Sequence, residues 1–204
     1  MTKKTLFPSI LLSSLLLNTG CMKKDQPIIS NSSSPIVAET HINTKTPVDS
    51  PPHQDEGKIR QMKTVQGDII TVREHSRGFS FPQYQGKIVL VQIFGKDCPY
   101  CFEEMPTVNK IQYTYRDKLS VIGIQGQPPM TKEEAVNLIR EHDMNYPIID
   151  QDEARSILVF LRDVYDWRGI LPYILLIKNG QIEQVFQGAD KSFEEISQGI
   201  NDIP

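Results

Sequence analysis

Two cysteines stand three apart in Cys98-Pro99-Tyr100-Cys101, directly after the apolar run Ile88-Val89-Leu90-Val91-Gln92-Ile93-Phe94. Such a run predicts a strand buried on both faces, and the pair then falls where that strand hands over to a helix. A helix N-terminus presents unpaired N–H groups and the positive end of the peptide dipole, both of which favour an anion. A thiolate at Cys98 is therefore expected at a pKa in the roughly 3.5–7.5 range of such sites, which makes Cys98 the candidate nucleophile. Cys101 lies one turn deeper, within reach of a mixed disulfide formed on Cys98, and is the candidate resolving thiol. An inert structural disulfide and half of a zinc site are the competing readings. Zinc needs four ligands, yet there is no second C-x-x-C, and His41, His53, His75 and His142 make no pair at ligand spacing. No cofactor or metal is expected.

Three neighbours bear on the thiols. Asp97 opposes a thiolate at Cys98 and Lys96 offsets it, so the net direction of the shift stays open. Glu104 follows Cys101 by three residues and shares its side of the helix, where a partly buried carboxylate can exchange protons with that thiol. The alternative is a solvated helix glutamate, which is the reading given to Glu103.

Periodicity orders the elements that must position these groups. Short strands are expected over 66–73 and 79–84, then the strand 88–94 and a helix from the cysteines to about residue 116. Met105, Val108, Ile111 and Tyr115 form its apolar stripe, and Pro106 inside it predicts a kink and not an end. A strand follows at 121–124. Thr131-Lys132-Glu133-Glu134 reads as a capping box opening a helix to about His142. A short apolar piece at 146–149 precedes a helix marked by Ala154, Ile157, Leu158, Leu161 and Tyr165. Strands at 173–177 and 182–186 flank the hairpin signal Asn179-Gly180. A last helix carries Phe193, Ile196 and Ile200. Strands alternating with helices, then a terminal hairpin and helix, predict an α/β fold of thioredoxin type.

The N-terminal quarter has a different character. Lys3 and Lys4 precede the apolar stretch Leu6 to Leu17, which has signal-peptide length and falls short of the ~20 residues of a membrane-spanning helix. It closes on Leu17-Asn18-Thr19-Gly20-Cys21, which resembles the bacterial lipobox and implies lipidation at Cys21. Residues 1–21 are read as a lipoprotein signal peptide. Residues 22–63, rich in Ser, Pro and Thr and free of aromatic side chains, are read as a disordered tether with an r.m.s. span of roughly 35 Å. The folded domain is then 64–204. The whole chain carries a net charge of -3, and losing Lys3 and Lys4 with the signal leaves -5. No basic face suited to nucleic acid is indicated.

Gly86-Lys87-Ile88-Val89-Leu90-Val91, the cysteine pair, Glu103-Glu104-Met105-Pro106, Tyr165-Asp166 leading to Leu171-Pro172, and Leu176-Ile177 with Gly180 together resemble the TlpA/ResA-like membrane-anchored thioredoxins over residues 64–200. The resemblance implies a thioredoxin fold: a mixed central sheet flanked by helices, with short N-terminal strands and an inserted helix/strand segment. It implies a redox-active Cys98–Cys101 disulfide and a cis bond before Pro172, which would pack beside the cysteines. Leu171 would then pair through its backbone with an extended substrate, with Pro99 and Tyr100 also on the substrate side. It further implies a place for Glu104 at the active site, with Gln92 where ordinary thioredoxins carry a buried acid. The chain departs from the family in lacking a tryptophan before Cys98, in its Pro99-Tyr100 dipeptide, and in Tyr173 after the proline.

The function that follows is an envelope thiol-disulfide oxidoreductase, lipid-anchored and facing the periplasm or extracytoplasmic space. It would reduce disulfides of exported proteins, apocytochrome c among them, and be recharged by a membrane thiol donor. A disulfide oxidase or isomerase is the alternative, and a metallochaperone or non-catalytic binding module is a third.

Overall fold

The computed structural model describes residues 57–204. The expected signal peptide, Cys21 and the tether as far as residue 56 lie outside the described residues. A five-stranded sheet centres on β4 (Ile88–Phe94), all of whose residues are buried. Strand alternation sends Val89, Val91 and Ile93 into one apolar cluster and Ile88, Leu90 and Phe94 into the other. Gln92, between Leu90 and Phe94, therefore points to the second side.

β5 (Leu119–Gln125) runs parallel to β4, and β6 (Ile148–Ile149) parallel to β5. On the other flank β7 (Tyr173–Lys178) is antiparallel to β4, and β8 (Gln181–Gln187) antiparallel to β7. The order is β6-β5-β4-β7-β8. The second cluster is covered by α1 (Pro99–Tyr115), α4 (Phe193–Asp202) and Leu138 of α2 (Lys132–Glu141). The first is covered by α3 (Arg155–Val164) and by a small antiparallel sheet, β1 (Ile59–Lys63), β2 (Ile69–His75) and β3 (Gly78–Ser80). This is the thioredoxin-type arrangement expected.

α1 continues through Pro106. An interior proline costs about 3 kcal/mol. Met105, Val108 and Ile111 are each 0% exposed, and burying each contributes about 1.5–3 kcal/mol, so packing outweighs the missing N–H. The Thr131 hydroxyl accepts from Glu134 N–H, and the Glu134 carboxylate accepts from Thr131 N–H, which is the expected capping box. Asn179 and Gly180 both have positive φ, 50° and 83°, as a tight hairpin turn requires.

Three boundaries differ from expectation. β1 falls inside the stretch read as tether, so the folded part begins by residue 59. It has no aromatic side chain to announce it, and is held by buried Met62 and by pairing from Ile59↔Arg73 to Lys63↔Ile69. The strand expected from 66 starts at Ile69, because Gly67 at φ 102° turns the chain after β1. The strand expected over 79–84 ends at Ser80, and a 3₁₀ turn takes Pro82–Tyr84, with Pro82 in its first turn where no N–H is needed.

Beyond β1 the chain runs along the outer side of β6. Val65 N–H donates to Ile148 O at 2.8 Å, Ile148 N–H donates to Gln66 Oε1 at 3.1 Å, and Gln66 Nε2 donates to Tyr146 O at 2.9 Å.

Candidate active site

β4 ends at Phe94, and four residues later Cys98 caps α1 in extended conformation. Its Sγ lies 3.2 Å from Cys101 N, and its carbonyl accepts from the N–H groups of Cys101 and Phe102 at 3.0 and 3.2 Å. Pro99 takes the first helical position, where a missing N–H costs nothing. The two sulfurs are bonded at 2.07 Å. Cys98 is 8% exposed and Cys101 0%, so both are buried and Cys98 is the more accessible of the two. Tyr100, at 61%, and Pro99 are exposed beside them.

The Leu171–Pro172 bond is cis. Ile93 pairs with Tyr173, so Pro172 falls level with Phe94, at the sheet end from which the chain proceeds to Cys98. Pro172 is buried and its carbonyl accepts from Gly188 N–H at 2.9 Å. Leu171 packs against both apolar clusters, one of which contains the two cysteines. Trp167 Nε1 donates to Ile170 O at 3.0 Å and pins the loop ahead of the cis bond.

Glu104 is 6% exposed, on the cysteine side of α1. Burial pushes its carboxyl up to about 7, against the pull of the Gln92 hydrogen bond and the Lys191 charge. Gln92 Nε2 donates to Glu104 Oε2 at 3.3 Å, and Tyr146 O–H donates to Gln92 Oε1 at 3.0 Å. Gly123 lies opposite Gln92 in the β4–β5 register, and a Cβ there would come within 3.2 Å of the Tyr146 ring. Burial raises the Tyr146 hydroxyl far above the ordinary phenol value.

The approach to Cys98 is clamped from the loop after β5. Asp97 N–H donates to Gln127 Oε1 at 2.8 Å, and a Cβ on Gly95 would strike the Gln127 side chain at 2.5 Å. Gln127 N–H is held by Gln125, whose Nε2 donates to the buried Asp150 carboxylate at 3.0 Å. Lys96 reaches Glu134 at 2.9 Å, and that hydrogen bond helps hold the Glu134 carboxyl down at about 2. The expectation that Lys96 offsets Asp97 beside the thiolate is thereby weakened, since its ammonium already has a carboxylate partner.

The structure thus gathers Cys98, Cys101, Glu104, Pro172 and Leu171 around one sheet end, with Pro99 and Tyr100 at the rim. Tyr146, Gln127 and Asp150 were not foreseen. The contacts that tie them to the site, Tyr146 to Gln92, Gln127 to Asp97 and Asp150 to Gln125, span 54, 30 and 25 residues, and the one local signal was Gln92, a polar residue inside an apolar run. Among the described residues no helix is long and apolar enough to cross a membrane, and no group of three or more His, Cys, Asp and Glu side chains is arranged to hold a metal ion.

Comparison with known proteins places these features in context. The family model described as AhpC/TSA matches residues 61–185. The chain is 25% identical over 129 residues to thiol-disulfide oxidoreductase ResA of Halalkalibacterium halodurans, covering 62% of this chain and 64% of that protein. It is 31% identical over 89 residues to thioredoxin-like protein YneN of Bacillus subtilis, covering 43% of this chain and 47% of the relative. The chain therefore spans less than two thirds of the length of either. Among solved structures, StoA from Bacillus subtilis superposes with a TM-score of 0.52 at 16% identity, over 71% of this chain and 98% of that one. The thioredoxin domain of a thiol-disulfide oxidoreductase from Bacteroides vulgatus gives 0.53 at 17%, over 71% and 95%. Likeness at that identity establishes the thioredoxin-like fold.

Proposed function

The chain belongs to the AhpC/TSA family, and from that premise we propose that it is a thiol-disulfide oxidoreductase that reduces disulfides of exported proteins. The observation that carries the proposal is the bonded pair at the head of α1, with Cys98 slightly exposed and Cys101 wholly buried. In the reduced protein the Cys98 thiolate attacks one sulfur of a substrate disulfide, and the other substrate sulfur leaves as a thiolate. Cys101 then loses its proton and attacks Cys98 Sγ. The second substrate sulfur departs, two electrons have passed to the substrate, and the protein is left in the disulfide form. Glu104 is the proposed acceptor of the Cys101 proton, since a carboxyl titrating near neutrality can both take and return it.

Leu171, ahead of the cis bond, is the proposed backbone partner of the substrate strand, with Tyr100 at the rim. Lys3, Lys4, the apolar stretch to Leu17 and Cys21 support an extracytoplasmic, lipid-anchored location, and Cys21→Ser would then release the protein from membranes. A membrane thiol donor would restore the dithiol, and apocytochrome c fits the class of substrate.

Reduction of insulin disulfide tests the assignment: Cys98→Ser should be inactive, and Cys101→Ser should accumulate mixed disulfides with its targets. Turnover surviving in Cys98→Ser refutes the nucleophile. The reduction potential decides direction. A value at or below about -270 mV supports a reductase, and one near about -120 mV makes the protein an oxidase.

A further inference from the structure

Resting on that reading of the dithiol, we infer that Tyr146 is a positioning residue for Glu104, acting through the side-chain amide of Gln92. The three groups form one buried line, Tyr146 O–H to Gln92 Oε1 and Gln92 Nε2 to Glu104 Oε2, at 2%, 0% and 6% exposure in that order. A primary amide has two faces. Its NH₂ turned to a carboxyl group favours the anion, and its oxygen turned there favours the protonated acid.

The second neighbour decides which face Glu104 meets. Among the described residues the Tyr146 hydroxyl has one hydrogen-bond acceptor, Gln92 Oε1. Turning the amide over would leave a buried O–H without an acceptor, a loss larger than the ordinary gain of a hydrogen bond. Tyr146 also stays protonated across the working range, because burial raises its hydroxyl. It therefore holds the amide oxygen and leaves the NH₂ on Glu104.

Gly123 makes the line possible. It sits opposite Gln92, and its missing side chain admits the Tyr146 ring. The titratable and charged groups acting on Glu104 are Tyr146 ahead of β6, Lys191 ahead of α4, and Cys101 one turn back on α1. With the amide held, the carboxylate persists to lower pH as an acceptor for the proton leaving Cys101. With the amide free to turn, the acid keeps its own proton to higher pH and less of the resolving base is available near neutrality.

The test uses the oxidised protein, in which neither thiol titrates. The ¹³C shift of the Glu104 side-chain carboxyl is followed through a pH titration in the wild type, Tyr146→Phe, Gln92→Met and the double variant. In Tyr146→Phe the midpoint should rise by about half to one pH unit, the equivalent of one ordinary hydrogen bond. In Gln92→Met it should rise at least as far, and the double variant should add nothing, because Tyr146 acts only through Gln92. Gly123→Ala, which crowds the Tyr146 ring, should move the midpoint the same way, and it serves if Tyr146→Phe does not fold. A midpoint unchanged in Tyr146→Phe, or additive shifts in the double variant, overturns the inference. The acidic limb of the insulin-reduction pH profile should rise with the midpoint, and a limb that stays put removes the link to the resolving step. The titration needs no substrate, so the inference can fail while Cys98→Ser is still inactive, and can hold if Cys98→Ser stays active.

Discussion

Glu104→Gln exchanges a buried carboxyl for a neutral amide of the same shape, and its effect on stability is set by pH. In the fold this carboxyl titrates at about 7, against an ordinary 4.5. Below 4.5 both the folded and unfolded chains hold the proton, so the group is neutral to stability in comparison with Gln. Between the two values the folded chain keeps a proton that the unfolded chain has released, and stability falls as pH rises. The separation of about 2.5 pH units corresponds to about 3 kcal/mol, fully lost once pH passes the folded value. Urea unfolding of the oxidised protein near pH 4 and near pH 8 reads this directly. Wild type and variant should nearly coincide at the acid end, and the variant should be the more stable by about 3 kcal/mol at the alkaline end. A gap of the same size at both pH values would show that Glu104 is ionised throughout, and would remove the proton-exchange role with it. The variant should also resolve mixed disulfides more slowly, so its gain in stability comes with a loss of turnover.

Two further outcomes follow from packing and hydrogen bonding. Met105→Ala empties a site that is 0% exposed under the cysteines and should cost about 2–5 kcal/mol in thermal unfolding; a cost below about 1 kcal/mol would mean that α1 is not seated by this stripe. Asp150 accepts from Gln125 Nε2 and from the N–H groups of Met130 and Gln151 at 3.0, 2.8 and 2.8 Å. Asp150→Ala should cost about 2–3 kcal/mol and speed hydrogen exchange at Asp97 N–H, which the same loop holds; unchanged exchange there would dissociate the clamp from the cysteines.

What was legible in the chain was mostly local. The apolar run of β4, the thiols beyond it, the Thr131 capping box and the Asn179-Gly180 turn each declare themselves within a few residues, and each stands where expected. The cis bond at Pro172 came from family resemblance alone, since nothing physical in Leu171-Pro172 distinguishes it from the common trans case. β1 was hidden because one buried methionine anchors it. The line from Tyr146 to Glu104 was hidden for another reason: its links join residues 54 and 12 apart, and only the sheet brings them together. Lys96 illustrates the same limit, because its charge could be counted from the chain but its partner on α2 could not.

The chain laid along β6 has a consequence away from the redox chemistry. A sheet that ends in a bare strand offers a ready template to other copies of itself. Here the last strand is two residues long, and the stretch from Thr64 to Gln66 already occupies its outer N–H and C=O groups. A chain shortened past residue 66 would keep both thiols yet uncover Ile148 and Ile149, which are otherwise wholly enclosed. The turn between β1 and β2 thus leaves β6 without a bare edge, the feature by which sheets add further strands from other molecules.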